Sequence, residues 1–391
     1  MNVSAKRRID YYLGGILVAL LKPIAMLMGL VLRRAHELRP HRSLVVLKFQ
    51  GGGSLLIAAP AMLGIRAQYP DMRYTLVTTR SLTEFGESVN VFDTIICVDD
   101  RDVARLLTSG VAALWKCRGA DTVIDLEVYS RLSGIFALLT CARNRIGFYL
   151  EATFWRRGIY THLLFFNRFT GVYFFYNQLA HLLGAQPASR EITAEAVASR
   201  LSARSRSETT IVAIGPGCSD LAPERRLPVD GWLHFLVPFL DVYPHVDLVF
   251  LGGPADRPLA AEIIARLVRS RESVVCVNQC GELSLKESLA ILRTAKRYFG
   301  IDSALLHFAR VFAVPSTSFW GPVMPAQLLT PWEDVEDDCH YTQLPCSPCV
   351  HIAETPPCRG NNVCMRCLYD VEFAARRSDW LTKHAPWNGS Q

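Results

Sequence analysis

The sequence predicts an α/β fold of two successive Rossmann-like domains, and three observations predict it. Short apolar strands alternate with longer helical stretches, the rhythm a parallel sheet requires. Small-residue turns follow several strands, as in Gln50-Gly51-Gly52-Gly53-Ser54, Gly215-Pro216-Gly217 and Gly252-Gly253-Pro254. Polar residues able to hold a ligand fall just past strand ends, which is where open α/β sheets bind theirs. With 391 residues the chain has room for two ordinary cores, and half of it is hydrophobic, which excludes global disorder.

Residues 1–43 form a basic, apolar leader to these domains. Residues 1–42 hold eight Lys and Arg against Asp10 and Glu37, a balance of 8 − 2 = +6 that accounts for the whole chain's +6. The remainder is neutral overall, so no basic stripe for nucleic acid is expected. Tyr11 to Leu32 is apolar apart from Lys22, with Lys6-Arg7-Arg8 before it and Arg33-Arg34 after it. The length suits a membrane span of about 20 residues. A charge and a proline at its middle, and basic flanks on both sides, argue against a simple one. An interfacial or re-entrant helix pair bent at Lys22-Pro23, lying on an anionic cytoplasmic surface, fits these residues best. A true span and a helix packed on the protein body are the alternatives.

The first domain, residues 44–185, opens with the strand Leu44–Phe49 and the glycine-rich turn to Ser54, then a helix to about Tyr69. That turn lets backbone approach a bound group closely, but it matches neither a dinucleotide fingerprint nor a P-loop. Tyr74–Thr78, Thr94–Val98, Thr122–Leu126 and Arg145–Phe148 read as further strands, with helices near Asp102–Leu114 and Ser130–Thr140. Glu127 falls just past a strand end, placed to serve as a proton acceptor or simply as a capping acid. Asp125, at the edge of its strand, reads as structural. From Arg143 to Gly184 aromatic residues are dense, from Phe148 and Trp155 to Phe175 and Tyr176, with Arg156-Arg157 and His162 among them. They suit acceptor or membrane contact, or a packed aromatic core.

Small and polar residues at 186–208 read as an interdomain linker. The second domain, 209–335, begins with the strand Thr210–Ile214, and Ser219, Arg225 and Arg226 follow its turn. Strands Val246–Leu251 and Val274–Val277 come next. Leu285, Leu289 and Leu292 recur at helical spacing before the strand Tyr298–Ile301. Asp302-Ser303 then sits at a strand's carboxyl end where a helix bearing His307 starts. Asp302 is either that helix's cap or part of a phosphate site at its N-terminus. Val311–Trp320 gives the next strand, and Gly321-Pro322 turns the chain at its end.

Gly281-Glu282-x-Ser284, Asp302-Ser303-x-x-x-His307-x-Ala309 and Phe319-Trp320-Gly321-Pro322 together resemble the donor-binding half of the bacterial heptosyltransferase family. The resemblance runs from about Leu44 onward and implies a GT-B fold, two Rossmann-like domains around a central cleft. Ala304 stands where members usually have Gly, and Leu227 where they have Trp. The likeness implies Ser219 with Arg225 or Arg226 as diphosphate ligands, joined by Asp302, Ser303, His307 and Gly321. It also places Ser54 where members carry the Asp proposed as catalytic base. A serine hydroxyl has no useful basicity at neutral pH, which leaves Glu127 as the nearest substitute.

Twelve cysteines divide into two sets. Those at 97, 117, 141, 218, 276 and 280 are scattered and read as buried thiols. Residues 336–391 hold Cys339, Cys346, Cys349, Cys358, Cys364 and Cys367, including two Cys-x-x-Cys pairs near zinc-ribbon spacing. A structural zinc held by Cys346, Cys349 and Cys364 with Cys358 or Cys367 competes with reduced thiols and with disulfides. His340 and His351 are further candidate ligands.

The expectation is an inverting glycosyltransferase at the cytoplasmic face of a bacterial inner membrane, peripheral or monotopic. It would move a sugar from a nucleotide-diphosphate donor to a lipid-linked saccharide acceptor of envelope polysaccharide synthesis, with no catalytic cofactor. A non-catalytic sugar-nucleotide-binding or scaffold protein is the rival. No Gly-x-Gly-x-x-Gly with a downstream acid appears, which disfavours a dinucleotide oxidoreductase.

Overall fold

A computed structural model describes residues 3–32, 38–202, 209–219, 222–350, 352–353, 356, 358 and 361–375. The chain divides into two compact units, Met1–Leu201 with Leu328–Thr330, and Ser202–Gln327 with Pro331–Gln391.

Unit 1 begins with the long helix α1 (Val3–Leu32). Strands β1 (Ser43–Leu47), β2 (Arg73–Thr79), β3 (Thr94–Val98), β4 (Thr122–Asp125), β5 (Asn144–Tyr149) and β6 (His162–Phe165) follow. Between and after them come α2 (Gly52–Gln68), α3 (Thr83–Ser88), α4 (Val103–Cys117), α5 (Arg131–Leu139), α6 (Val172–Leu182) and α7 (Arg190–Ala198). All strand pairings are parallel, in the order β3-β2-β1-β4-β5-β6. Parallel strands covered on both faces read as continuous apolar runs, which is how Leu44–Leu47 sits.

Unit 2 repeats the plan with β7 (Thr210–Gly215), α8 (Val229–Val242), β8 (Val246–Phe250), α9 (Arg257–Ser270), β9 (Val275–Asn278) and α10 (Leu285–Thr294). It continues through β10 (Arg297–Ile301), α11 (Ala304–Val311), β11 (Ser316–Trp320) and β12 (Asp337–Tyr341). Its sheet order is β12-β11-β10-β7-β8-β9. Read from β9, it matches the first sheet strand for strand, the 3-2-1-4-5-6 order of dinucleotide-binding folds. Each sheet therefore has one switch point: between β1 and β4 in unit 1, and between β7 and β10 in unit 2.

Four expectations change. α1 is one continuous helix through Pro23, with no bend dividing it into a pair. Proline removes a single i→i−4 bond, and the turns before it are anchored on α5. The stretch read as a linker contains α7, capped by the Ser189 hydroxyl accepting from the Ile192 N–H, with Thr193 and Val197 buried. β11 begins at Ser316 because Val311 still belongs to α11. Cys97 and Cys141 are exposed, whereas Cys117, Cys218 and Cys280 are buried as expected. Arg33 and Arg34, the second basic flank, lie outside the described residues, as does His351.

The aromatic stretch serves two purposes. Phe148, Trp155, Tyr160, Phe175 and Tyr176 are core, while Phe154, Phe165, Phe169 and Phe174 are exposed.

Candidate functional site

At the switch point of unit 2, the expected donor residues meet. Arg225 donates from Nη1 to the Asp302 carboxylate and to the Asp302 carbonyl, both at 3.0 Å. Its Nη2 donates to the Ser219 hydroxyl at 3.3 Å. Ser219 lies past β7 and Asp302 just past β10, so the guanidinium joins the carboxyl ends of two adjacent strands. Burial works against the Arg225 charge, but the Asp302 carboxylate more than offsets it and holds the pKa above its ordinary value. The cluster is thus a charge-paired arginine held rigidly at the mouth of a parallel sheet, beside the N-terminus of α11.

Ser303 is the N-cap position of α11, yet its hydroxyl makes no cap bond. It is buried beside the Tyr298 phenol, with which it interacts. Burial pushes the Tyr298 phenol far up. A helix N-terminus without a side-chain cap, next to an arginine fork, makes a ready anion site. Tyr298 lies across Gly215 and Gly300: a Cβ at either would stand 2.1 or 2.3 Å from its hydroxyl oxygen. Those glycines are therefore required by the ring.

The remaining donor candidates are placed differently. Arg226 directs Nη2 to the Cys218 carbonyl at 3.4 Å, so it braces the turn that carries Ser219. His307 is buried with Nε2 3.9 Å from Asp302 Oδ1. Burial lowers its pKa to about 4, so its imidazole is neutral at pH 7 and supplies no charge to a phosphate. Gly321 is packed under the C-terminal segment: a Cβ there would sit 2.6 Å from Cys364 Sγ. Its carbonyl accepts from Ser347. Packing, not ligand approach, explains that glycine.

At the switch point of unit 1, Ser54 donates to the Gly51 carbonyl at 2.7 Å, which holds the glycine-rich turn closed. Glu127, just past β4, turns back over β1. Its Oε1 accepts the main-chain N–H groups of Phe49 (2.7 Å) and Gln50 (3.0 Å). The same oxygen lies 3.4 Å from Lys48 Nζ, a pair whose side chains are 7% and 14% exposed. Burial opposes the Lys48 charge, and Glu127 with the Tyr176 phenol and Asp125 overcomes this to raise its pKa. Tyr176, on α6, borders both Lys48 and Ser54.

A fully buried network supports Glu127 from behind. Asp125 Oδ2 accepts from Arg156 Nη2 at 2.9 Å, from the Ser133 hydroxyl at 2.8 Å and from the Tyr160 hydroxyl. Asp125 Oδ1 accepts the Glu127 N–H at 2.9 Å, and Arg156 Nη1 donates to the Glu127 and Val128 carbonyls. Burial pushes the Asp125 carboxyl up, and Arg156 pulls against it. Asp125 is structural, as read. Lys48 went unnoticed in the sequence, and Tyr176 was read only as a member of the aromatic stretch. A lysine ending a fully apolar strand is the one signal that could have found the first.

The C-terminal cysteines gather without a disulfide among the described residues. Burial lifts Cys349 to about 11 and Cys364 to about 12, with neighbouring thiols among Cys346, Cys349 and Cys358 adding to the effect. Cys358 and Cys367 pack against the unit 2 core. Among the described residues no three His, Cys, Asp or Glu side chains stand in an arrangement that could hold a metal ion. Cys346, Cys349, Cys358 and Cys364, from which the spacing expects a zinc set, nevertheless lie near enough for Cys346 and Cys358 to help raise the pKa values of Cys349 and Cys364, and Cys364 packs against Gly321.

Residues 177–358 match the family model described as Glycosyltransferase family 9 (heptosyltransferase). No curated protein matches the chain. Among solved structures, a family 9 glycosyl transferase from Veillonella parvula is similar at TM-score 0.61 and 18% identity, covering 78% of this chain and 87% of that one. The E. coli ADP-heptose lps heptosyltransferase II gives 0.59 and 18%, with 85% and 99% covered. E. coli heptosyltransferase WaaC with ADP gives 0.61 and 16%, with 76% and 93% covered. At such identities these three likenesses carry the fold. With the family match, the resemblance read from the sequence holds: the chain is similar to the heptosyltransferases, and residues 177–358 match the glycosyltransferase family 9 model.

Proposed function

We propose that the protein is an inverting glycosyltransferase that moves a heptose or similar sugar from a nucleotide-diphosphate donor to a lipid-linked saccharide. It acts at the cytoplasmic face of the inner membrane in envelope polysaccharide or lipopolysaccharide synthesis. The observation that carries this reading is the Arg225–Ser219–Asp302 cluster beside the uncapped N-terminus of α11, at the switch point of the unit 2 sheet. A diphosphate placed there takes charge-assisted bonds from Arg225 and main-chain N–H groups from the start of α11. The same groups stabilise the charge that the diphosphate gains as its bond to the sugar breaks. WaaC, similar in fold, was solved with ADP.

Unit 1 supplies the proton acceptor. Oε1 of Glu127 is occupied by two N–H groups and Lys48. Oε2 is the oxygen that takes the proton of the attacking acceptor hydroxyl. That hydroxyl attacks the anomeric carbon as the diphosphate departs from the opposite face, which inverts the configuration.

Glu127→Gln tests the assignment. It keeps an acceptor for Phe49 and Gln50 while removing the basic oxygen. Turnover of ADP-heptose is expected to fall at least 100-fold, with donor-induced thermal stabilisation unchanged. Because the change leaves Lys48 without its anion, Lys48→Met/Glu127→Gln serves as the folded control, and turnover stays lost in it. Undiminished turnover in either variant removes Glu127 from catalysis. Absence of any turnover in the wild type, with donor still bound, points to the non-catalytic sugar-nucleotide-binding rival.

A further inference from the structure

We propose that α1 seats unit 1 in the plane of an anionic phospholipid bilayer through its outward apolar stripe, without crossing it. The proposal refines the membrane location given above and depends on nothing about donor or catalysis. Tyr12, Ile16, Leu20, Ile24, Leu27 and Val31 recur at intervals of three and four and are all exposed, Leu20 to 62%. They form one face about 28 Å long at 1.5 Å per residue. A stripe that size on a helix of mean hydropathy 2.1, only 11% buried, calls for a partner.

The charged residues of the helix say which partner and which orientation. Lys6 pairs with Asp100. Asp10 turns inward and accepts from the Ser130 hydroxyl and from the Arg131 and Leu132 N–H groups at the start of α5. The Lys22 stem lies against Gly158, within 3.5 Å of where a Cβ would stand. Gly14 meets Arg131 so closely that a Cβ would fall 2.6 Å from its side chain. From Ile9 to Leu32, then, both charged side chains point toward the protein. Because those same contacts fasten the helix lengthwise to unit 1, a crossing would drag folded protein into the bilayer. Lying flat buries the stripe and leaves exposed Arg7 and Arg8 at its end to meet acidic headgroups. A second copy of this chain would bring the same positive charge against itself.

Flotation of the full purified chain with vesicles of phosphatidylcholine and phosphatidylglycerol tests this. Wild type is expected to float with the vesicles. Leu20→Glu/Ile24→Glu, on the exposed face, should weaken partitioning at least tenfold. Arg7→Ser/Arg8→Ser should weaken it several-fold and remove most of its salt sensitivity. A fluorescent amino acid encoded at Ile16 or at Val31 should be quenched alike, and best by lipids brominated near the headgroup. Flotation that ignores the Glu pair overturns the proposal. So does deep quenching at one position only, which marks a span. So does sedimentation as a dimer that the Glu pair dissolves, which assigns the stripe to a second copy. Donor-induced thermal stabilisation of the Glu pair variant, measured alongside, reports the glycosyltransferase reading separately.

Discussion

Arg225→Met separates what this arginine does for the fold from what it does for a donor. Its partner Asp302 is 6% exposed at the side chain and Arg225 itself 14%. Removing one member of a buried pair typically costs 3–5 kcal/mol, and the residual exposure places this case near ~3 kcal/mol. For a unit of this size that lowers the melting temperature by roughly 6–12 °C. Most of that loss is the isolated Asp302 carboxylate, so Arg225→Met/Asp302→Asn recovers it. Donor affinity behaves otherwise. Losing a charge-assisted contact worth about 2–3 kcal/mol weakens binding roughly 30- to 150-fold in both variants. Calorimetric titration with a nucleotide-diphosphate sugar, run beside thermal denaturation, reads the two effects independently. If the double variant regains affinity along with stability, Arg225 is a structural bolt and the diphosphate assignment is wrong.

Two more outcomes follow from single contacts. His307 has a folded pKa of about 4 against 6.5 unfolded, because burial disfavours its charge. Its contribution is fully present above pH 6.5 and is lost as pH falls toward 4, up to about 3 kcal/mol. Urea midpoints at pH 7 and 4.5 should therefore converge for His307→Gln relative to wild type, and an unchanged gap refutes the burial account. Gly321→Ala places a Cβ 2.6 Å from Cys364 Sγ and should destabilise unit 2 by roughly 1–3 kcal/mol. Adding Cys364→Ala should restore part of it by denaturant unfolding, with Met365 Sδ still 2.8 Å from the new Cβ. A failure to restore would mean that Gly321 is needed for something other than packing.

What the sequence revealed and what it hid have physical reasons. Central parallel strands such as Leu44–Leu47 and Arg297–Ile301 are buried on both faces and appear as apolar runs. Of the four edge strands among the described residues, Thr94–Val98 and Val275–Asn278 still show as apolar runs, but Asp337–Tyr341 reads as polar loop and His162–Phe165 disappears among aromatics. The Arg225 cluster was legible because its members follow strand ends, where position alone predicts convergence. Lys48 with Glu127, and Asp125 with Arg156, were not, since each pair joins distant segments whose charges look like surface. For Arg226 and His307 the sequence shows residue type alone: type announces a charge or a donor, but burial and direction, which only the fold sets, shape its use. Gly321 looked like a ligand turn because the segment bearing Cys364, which covers it, cannot be placed from sequence.

The most direct test is a structure of the full chain with ADP bound. The diphosphate is expected within hydrogen-bond distance of Arg225 and of the N–H groups opening α11. Nucleotide bound away from the β7–β10 switch point, or phosphates turned from Arg225 toward solvent, would contradict the account.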